Sequence, residues 1–188
     1  MKTEKSIHII ETAMVMFNQN GFHATPTSKI AKKARVSVGT LFNYFHTKED
    51  LIEAIYVHIL KHSKSTFLEN LQESNNQHDT LQSMWRAIIL WGVTNPEEFR
   101  YLELFSHSPF KNHYYNDKSL QAYNKFRENI LKAISPNTIC VKYPEYSLTY
   151  IDKSIHGAIR FILDQEIEDI DHFINASFDL LWNGFAQN

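Results

Sequence analysis

The amino-acid sequence predicts an all-α protein. Apolar residues recur at helical rather than alternating spacing along most of the 188 residues. Helix start and stop signals bracket those stretches, and few runs carry the β-branched, period-two pattern of strands. With 43% hydrophobic and 21% charged residues, the composition is that of a globular protein with one domain or two small ones. There is no run of eighteen apolar residues, and residues 1–10 lack the regions of a signal peptide, so a cytoplasmic protein with no membrane partner is expected. The single Cys140 excludes an internal disulfide.

The first helix is expected over about residues 3–20, with Ile7, Ile10, Met14 and Phe17 on one face and Gly21 as its stop. A second begins in TPTSKIAKKA, where Thr25 is placed to cap it and Pro26 to occupy the first helical position. After the turn Arg35-Val36-Ser37, Ser37 is a fresh N-cap for a third helix to about Tyr44. Thr47 caps a long fourth helix, with Asp50 in a capping-box position and Leu51, Ile55 and Ile59 along its buried stripe. Asp79 is placed to cap a helix running through Met84, Trp85, Ile88 and Leu90 to about Asn95. Asn95-Pro96-Glu97-Glu98 starts the next, with Glu98 placed for a capping box. Residues 106–117 read as a break, 118–134 as a helix and 135–146 as a loop. Two final helices carry Ile151, Ile155, Ala158, Ile159 and Ile162, then Ile170, Ile174, Phe178, Leu181 and Phe185, with Gly157, Ala176 and Gly184 allowing close approach.

The charge is unevenly spread. Residues 1–64 hold nine Lys/Arg against five Asp/Glu, and residues 65–188 hold ten against sixteen. A basic first third points to a polyanion at that end, although a basic face is also a common solvated surface. The third helix sharpens the reading. At 100° per residue, Leu41 and Phe45 share one face with Val38 at its edge, while Gly39, Thr40 and Asn43 lie opposite. Two short helices joined by a tight turn, the second displaying small and polar residues, make a helix-turn-helix able to enter a DNA major groove. Gly39 costs such a helix about 0.5–1 kcal/mol relative to alanine; either close approach to DNA or crowding between helices would account for it.

The run TSKIAKKARVSVGTLFNYFHTKEDLIEAI, preceded by FNQNGFHAT, resembles the DNA-binding domain of the tetracycline-repressor (TetR) family of bacterial regulators over about residues 5–56. The resemblance implies that the third helix reads the major groove, that its flanks and the start of the fourth helix hold phosphates, and that a variable C-terminal domain dimerises and binds a small effector. By position it implies DNA contacts from Thr25, Thr27 and Ser28 on the second helix, Ser37, Val38, Gly39, Thr40 and Asn43 on the reading helix, and Tyr44 and Lys48 at phosphates. Two positions depart from the family pattern. Phe42 stands where tyrosine is common, removing a phosphate-bonding hydroxyl that Tyr44 would supply, and Val38 stands where lysine is common, which suits apolar contact with a thymine methyl.

The expected organisation is therefore a helix-turn-helix DNA-binding domain over residues 1–47 and a helical effector-binding and dimerisation domain over 48–188. A homodimer would bury Ile151, Ile155, Ile159, Ile162, Ile174, Phe178, Leu181 and Phe185 in a symmetric four-helix contact. Of 25 aromatic residues, 19 follow residue 64, and that excess favours an apolar effector pocket, with Trp91, Tyr101, Phe105, Tyr123 and Phe126 as its lining. There is no phosphate loop, nucleophile elbow or paired catalytic cysteine, so no enzyme is expected. His58 and His62 have a metal-compatible spacing, but two ligands rarely make a selective site, and neither metal nor cofactor is expected. The function read from this is a repressor that binds a palindromic operator as a dimer and is released by an apolar or aromatic molecule. The alternatives are a DNA-organising or interaction protein with no effector, and a metal-responsive regulator.

Overall fold

A computed structural model describes the backbone of residues 4–70, 76–110 and 143–185, and the side chains there except those of 64–70, 77, 144 and 185. The helix expected over residues 118–134, and with it Tyr123, Phe126 and Cys140, lies outside the described residues. Among those described there are eight helices and no strand: α1 Glu4–Asn20, α2 Thr27–Lys33, α3 Val38–Tyr44, α4 Lys48–Asn70, α5 Gln77–Thr94, α6 Pro96–Ser106, α7 Pro144–Asp164 and α8 Ile170–Phe185. The protein is all-α. None of these helices is long and apolar enough to cross a membrane.

The chain forms two compact units, Met1–His62 with Asn95–Asp117, and Ser63–Thr94 with Lys118–Asn188. The division at 47/48 expected from sequence does not coincide with this. The first turns of α4 bury Leu51, Ile52, Ile55 and Ile59 completely within the first unit, and α6 joins them there.

In the first unit α1 buries Ile9, Ile10, Ala13, Met14 and Phe17. Ile9 takes the inward place expected of Ile7, which is half-buried. Gly21 ends the helix at φ +75°, with its N–H donating to Phe17 O at 2.7 Å. Phe22 then packs edge-on against both Phe17 and Tyr101, with ring centroids 5.1 and 5.7 Å apart. Tyr101 of α6 is fully buried and donates its hydroxyl to Ile52 O of α4 at 2.8 Å. That bond satisfies the one polar atom of a side chain whose burial stabilises by roughly 2–3 kcal/mol. Asn18 Nδ2 ties α1 to α6 by donating to Glu97 O and Oε2, both at 2.8 Å.

In the second unit α5 packs against α7 and α8, which also touch each other. Its N-cap is Asn76, whose Oδ1 accepts from His78 N at 3.0 Å, so the helix starts earlier than the expected cap at Asp79. The closest approach is at Gly92, where a Cβ would lie 2.5 Å from Ile159 Cδ1. Gly157 and Gly184, expected to serve that purpose, have open space around them. Trp85 Nε1 donates to Ser177 Oγ at 3.1 Å, and Arg86 pairs with Asp171 at 2.7 Å, fixing α5 to α8.

Candidate nucleic-acid interface

The helix pair α2–α3 is built by local signals. α2 ends in a Schellman turn: Val36 N–H donates to Ala31 O at 3.0 Å and Arg35 N–H to Lys32 O at 3.2 Å. Such a turn needs a left-handed residue after the cap, and Arg35 takes it at φ +56°. Ser37 then caps α3, its Oγ accepting from Thr40 N at 3.0 Å and sharing a 2.8 Å hydrogen bond with Thr40 Oγ1. Leu41 is fully buried and Phe45 nearly so, and they pin the helix. α4 opens with a reciprocal capping box: Asp50 N donates to Thr47 Oγ1 and Thr47 N to Asp50 Oδ2, each at 3.0 Å.

These anchors leave Ser37, Val38, Gly39, Phe42, Asn43 and Tyr44 exposed, with Thr40 half-buried beside them. The choice left open for Gly39 is resolved against crowding: a Cβ there would meet only Ser37 Oγ, at 3.8 Å. Nothing among the described residues requires glycine at this position. On α2 Ser28 is exposed and Thr27 half-buried, and Lys48 sits half-buried at the start of α4 with Nζ 5.9 Å from the Phe17 ring centroid. Lys29, Lys32, Lys33 and Arg35 are all exposed, and none enters an ion pair among the described residues. Four such cations beside the open face of α3 form a positive flank suited to phosphates.

Thr25 is a correction. It is 1% exposed, and its hydroxyl donates to Gly21 O at 2.8 Å, so it closes the end of α1 rather than capping α2 or meeting DNA. The N-cap of α2 is Pro26, which has no side chain able to cap, and Thr27 is the first helical residue.

Of the residues expected to line an effector pocket, Tyr123 and Phe126 lie outside those described, and the other three are buried side chains. Tyr101 and Phe105 belong to the core of the first unit, where Phe105 stacks on Tyr56 at 4.4 Å, while Trp91 is buried in the second. Of the histidine pair, His62 Nδ1 meets Glu98 Oε1 at 2.9 Å. Glu98 thereby serves α4 rather than the capping box expected of it, and no three metal-binding groups cluster among the described residues.

The apolar stripe expected at a dimer contact is covered within the chain itself. Ile151, Ile155, Ile159, Ile162, Ile174, Phe178 and Leu181 are all buried within the second unit, and the Phe185 side chain is outside those described. The stripe chosen from sequence is the unit's own core, packed on α5. All five large apolar side chains that the described part of this unit exposes lie elsewhere on the same helices or at the cap of α7: Tyr143, Tyr146, Tyr150, Phe161 and Leu180. An open apolar groove of about 350 Å³ runs between Tyr150, Ser154, Gly157 and Phe161 of α7 and Phe173, Ser177 and Leu180 of α8. The signal for this face was in the sequence. Tyr146, Tyr150, Ser154, Gly157 and Phe161 follow one another at steps of three or four, one position away from the isoleucine stripe.

Two short helices joined by a tight turn, the second capped and open beside a cationic flank, form a helix-turn-helix. Residues 9–55 match the model of the bacterial regulatory proteins of the tetR family. A tetR family transcription regulator from Shewanella sp. PV-4 superimposes with a TM-score of 0.82 at 25% identity, over 99% of this chain and 100% of that one. The chain is thus similar to tetR family regulators, in sequence over residues 9–55 and in fold along nearly its whole length. Among curated relatives, the fatty acid metabolism regulator protein of Bacillus subtilis is 32% identical over 88 residues, 47% of this chain and 43% of the relative. The chain spans about half the length of the curated relatives it matches. The regulator FadR from Bacillus subtilis, solved in complex with stearoyl-CoA, shares the fold, with a TM-score of 0.65 at 19% identity over 95% of this chain and 98% of that one.

Proposed function

We propose that the protein is a dimeric, sequence-specific DNA-binding transcriptional repressor whose α3 reads the major groove of an inverted-repeat operator. The open space around Gly39 carries this reading, because a helix that accepts a glycine with no internal reason for it suits close approach of an external surface. Ser37, Gly39, Thr40 and Asn43 face the bases. Thr27, Ser28, Tyr44 and Lys48 hold phosphates with the α2 cations, and the N-terminus of α4 adds its own dipole. Residues 1–47 form the reading head, and the second unit supplies a second copy and an effector. The two protomers meet through the Tyr146–Tyr150–Gly157–Phe161 and Phe173–Leu180 face, not through the buried isoleucines. The test is enrichment of duplexes from a random pool by the purified protein, followed by titration at several salt concentrations. An enriched inverted repeat that binds far more tightly than random duplex supports the reading; equal affinity for both overturns it.

The effector in this reading is apolar. A long-chain acyl-CoA is the first compound to test, since the FadR relative is solved with stearoyl-CoA. Trp85, Trp91 and Trp182 all lie in the second unit, so their fluorescence reports binding there. Stearoyl-CoA or another apolar compound should quench it and weaken operator binding by its differential affinity for the two states. If a broad panel leaves both unchanged, the protein is a DNA-organising regulator without an effector.

A further inference from the structure

Of the four large apolar side chains that the described part of the first unit exposes, three lie on the seven residues of α3: Val38 at 42%, Phe42 at 37% and Tyr44 at 38%. Exposed apolar side chains gathered on one short element mark a surface with a partner. Val38 and Phe42 are four residues apart, so they follow one another along the same flank of the helix. Neither carries a hydrogen-bonding side-chain group. Phe42 makes no ring contact among the described residues, and around the helix it lies between Val38 and Gly39, both exposed.

We infer that Val38 and Phe42 form an apolar reading edge that recognises the 5-methyl groups of thymines. This rests on the DNA-binding reading above and specifies what α3 reads. The major groove offers an apolar side chain one distinctive target, the thymine methyl. Four residues of helix advance about 6 Å, and successive bases advance about 3.4 Å. The pair therefore addresses two thymines about two base steps apart in each half-site. The chemistry also separates two roles on one helix: Asn43 and Thr40 hydrogen-bond to base edges, while Val38 and Phe42 exclude water from methyl groups.

The experiment keeps the protein unchanged and alters only the methyl. Half-sites are enriched from random duplex by the full chain, and each thymine is then replaced in turn by deoxyuridine, which lacks the 5-methyl and keeps every hydrogen-bonding group. Two positions per half-site should each lose about fourfold in affinity, the value of one buried methyl-sized group. Substituting the same position in both half-sites should cost more than tenfold. Val38→Ala should abolish the thymine preference at one position and Phe42→Ala at the other, with circular dichroism checking that each variant folds; Phe42→Tyr, which keeps the ring, should retain it. Undiminished binding to an all-deoxyuridine operator, or enriched half-sites without thymine, would overturn the methyl reading and leave sequence-specific binding intact. Failure to enrich any duplex would overturn both.

Discussion

In the proposed reading, Arg35 serves DNA binding from a backbone conformation that costs stability. Its left-handed backbone, φ +56°, is the conformation that glycine adopts most easily at the end of a helix. Arg35→Gly should raise unfolding free energy by about 0.5–1 kcal/mol, because the left-handed cost of a side-chain-bearing residue exceeds the added chain entropy of glycine. It should at the same time weaken DNA binding and flatten its salt dependence, since one exposed cation per protomer is lost. Thermal unfolding and salt titration check the two halves separately; a lower melting temperature would contradict the strain argument. Lys48→Ala should weaken binding to matched and random duplex alike and reduce the salt slope by about two per dimer. An effect confined to the matched operator would place Lys48 at the bases instead.

At the scale of elements, the first four helices were largely legible in the sequence because their ends are written in local chemistry. Ser37, and Thr47 with Asp50, form the caps that their types and spacing announced. Thr25 illustrates the limit of such reasoning: its hydroxyl had two possible helix ends to serve, and the fold buries it against the one before it. Asn95 likewise stands at an N-cap without capping through its side chain, and the Glu98 carboxylate meets His62. Ser37→Ala should cost about 1 kcal/mol of stability, and it should also loosen Thr40, whose hydroxyl shares the cap. In the second unit Gly92→Ala should destabilise by about 1–3 kcal/mol, because the new methyl meets the buried Ile159 within a packed core. Denaturant unfolding measures it, and a neutral result would show that α5 and α7 can separate without cost.

For the whole molecule, periodicity marked α7 and α8 as amphipathic but did not say which of two adjacent stripes faces α5. The aliphatic stripe won, since isoleucines pack more closely around Gly92 than tyrosines would, and the aromatic stripe remained outside. The effector pocket was the least legible feature. An excess of aromatic residues fixes how much apolar surface must be covered, not which unit covers it, and Tyr101 and Phe105 proved to be core in the first unit. Leu180, 78% exposed beside the open groove, is the best single position to break the proposed dimer. Leu180→Asp should leave the helical content intact and convert a species of twice 22.1 kDa into monomer in sedimentation. A variant that stays dimeric would move the interface elsewhere.

The most direct test of the central claim is the stoichiometry and sequence dependence of the DNA complex, measured by sedimentation of the purified protein with its enriched duplex and with a random one. Two protomers should occupy one inverted repeat whose half-site centres lie roughly 34–36 Å apart, or a multiple of that. Binding to random duplex should be weaker by about a thousandfold or more at the same salt. A single protomer seated on one asymmetric half-site, or the same affinity for both duplexes, would contradict the assignment of α3 as a sequence-reading helix in a symmetric dimer.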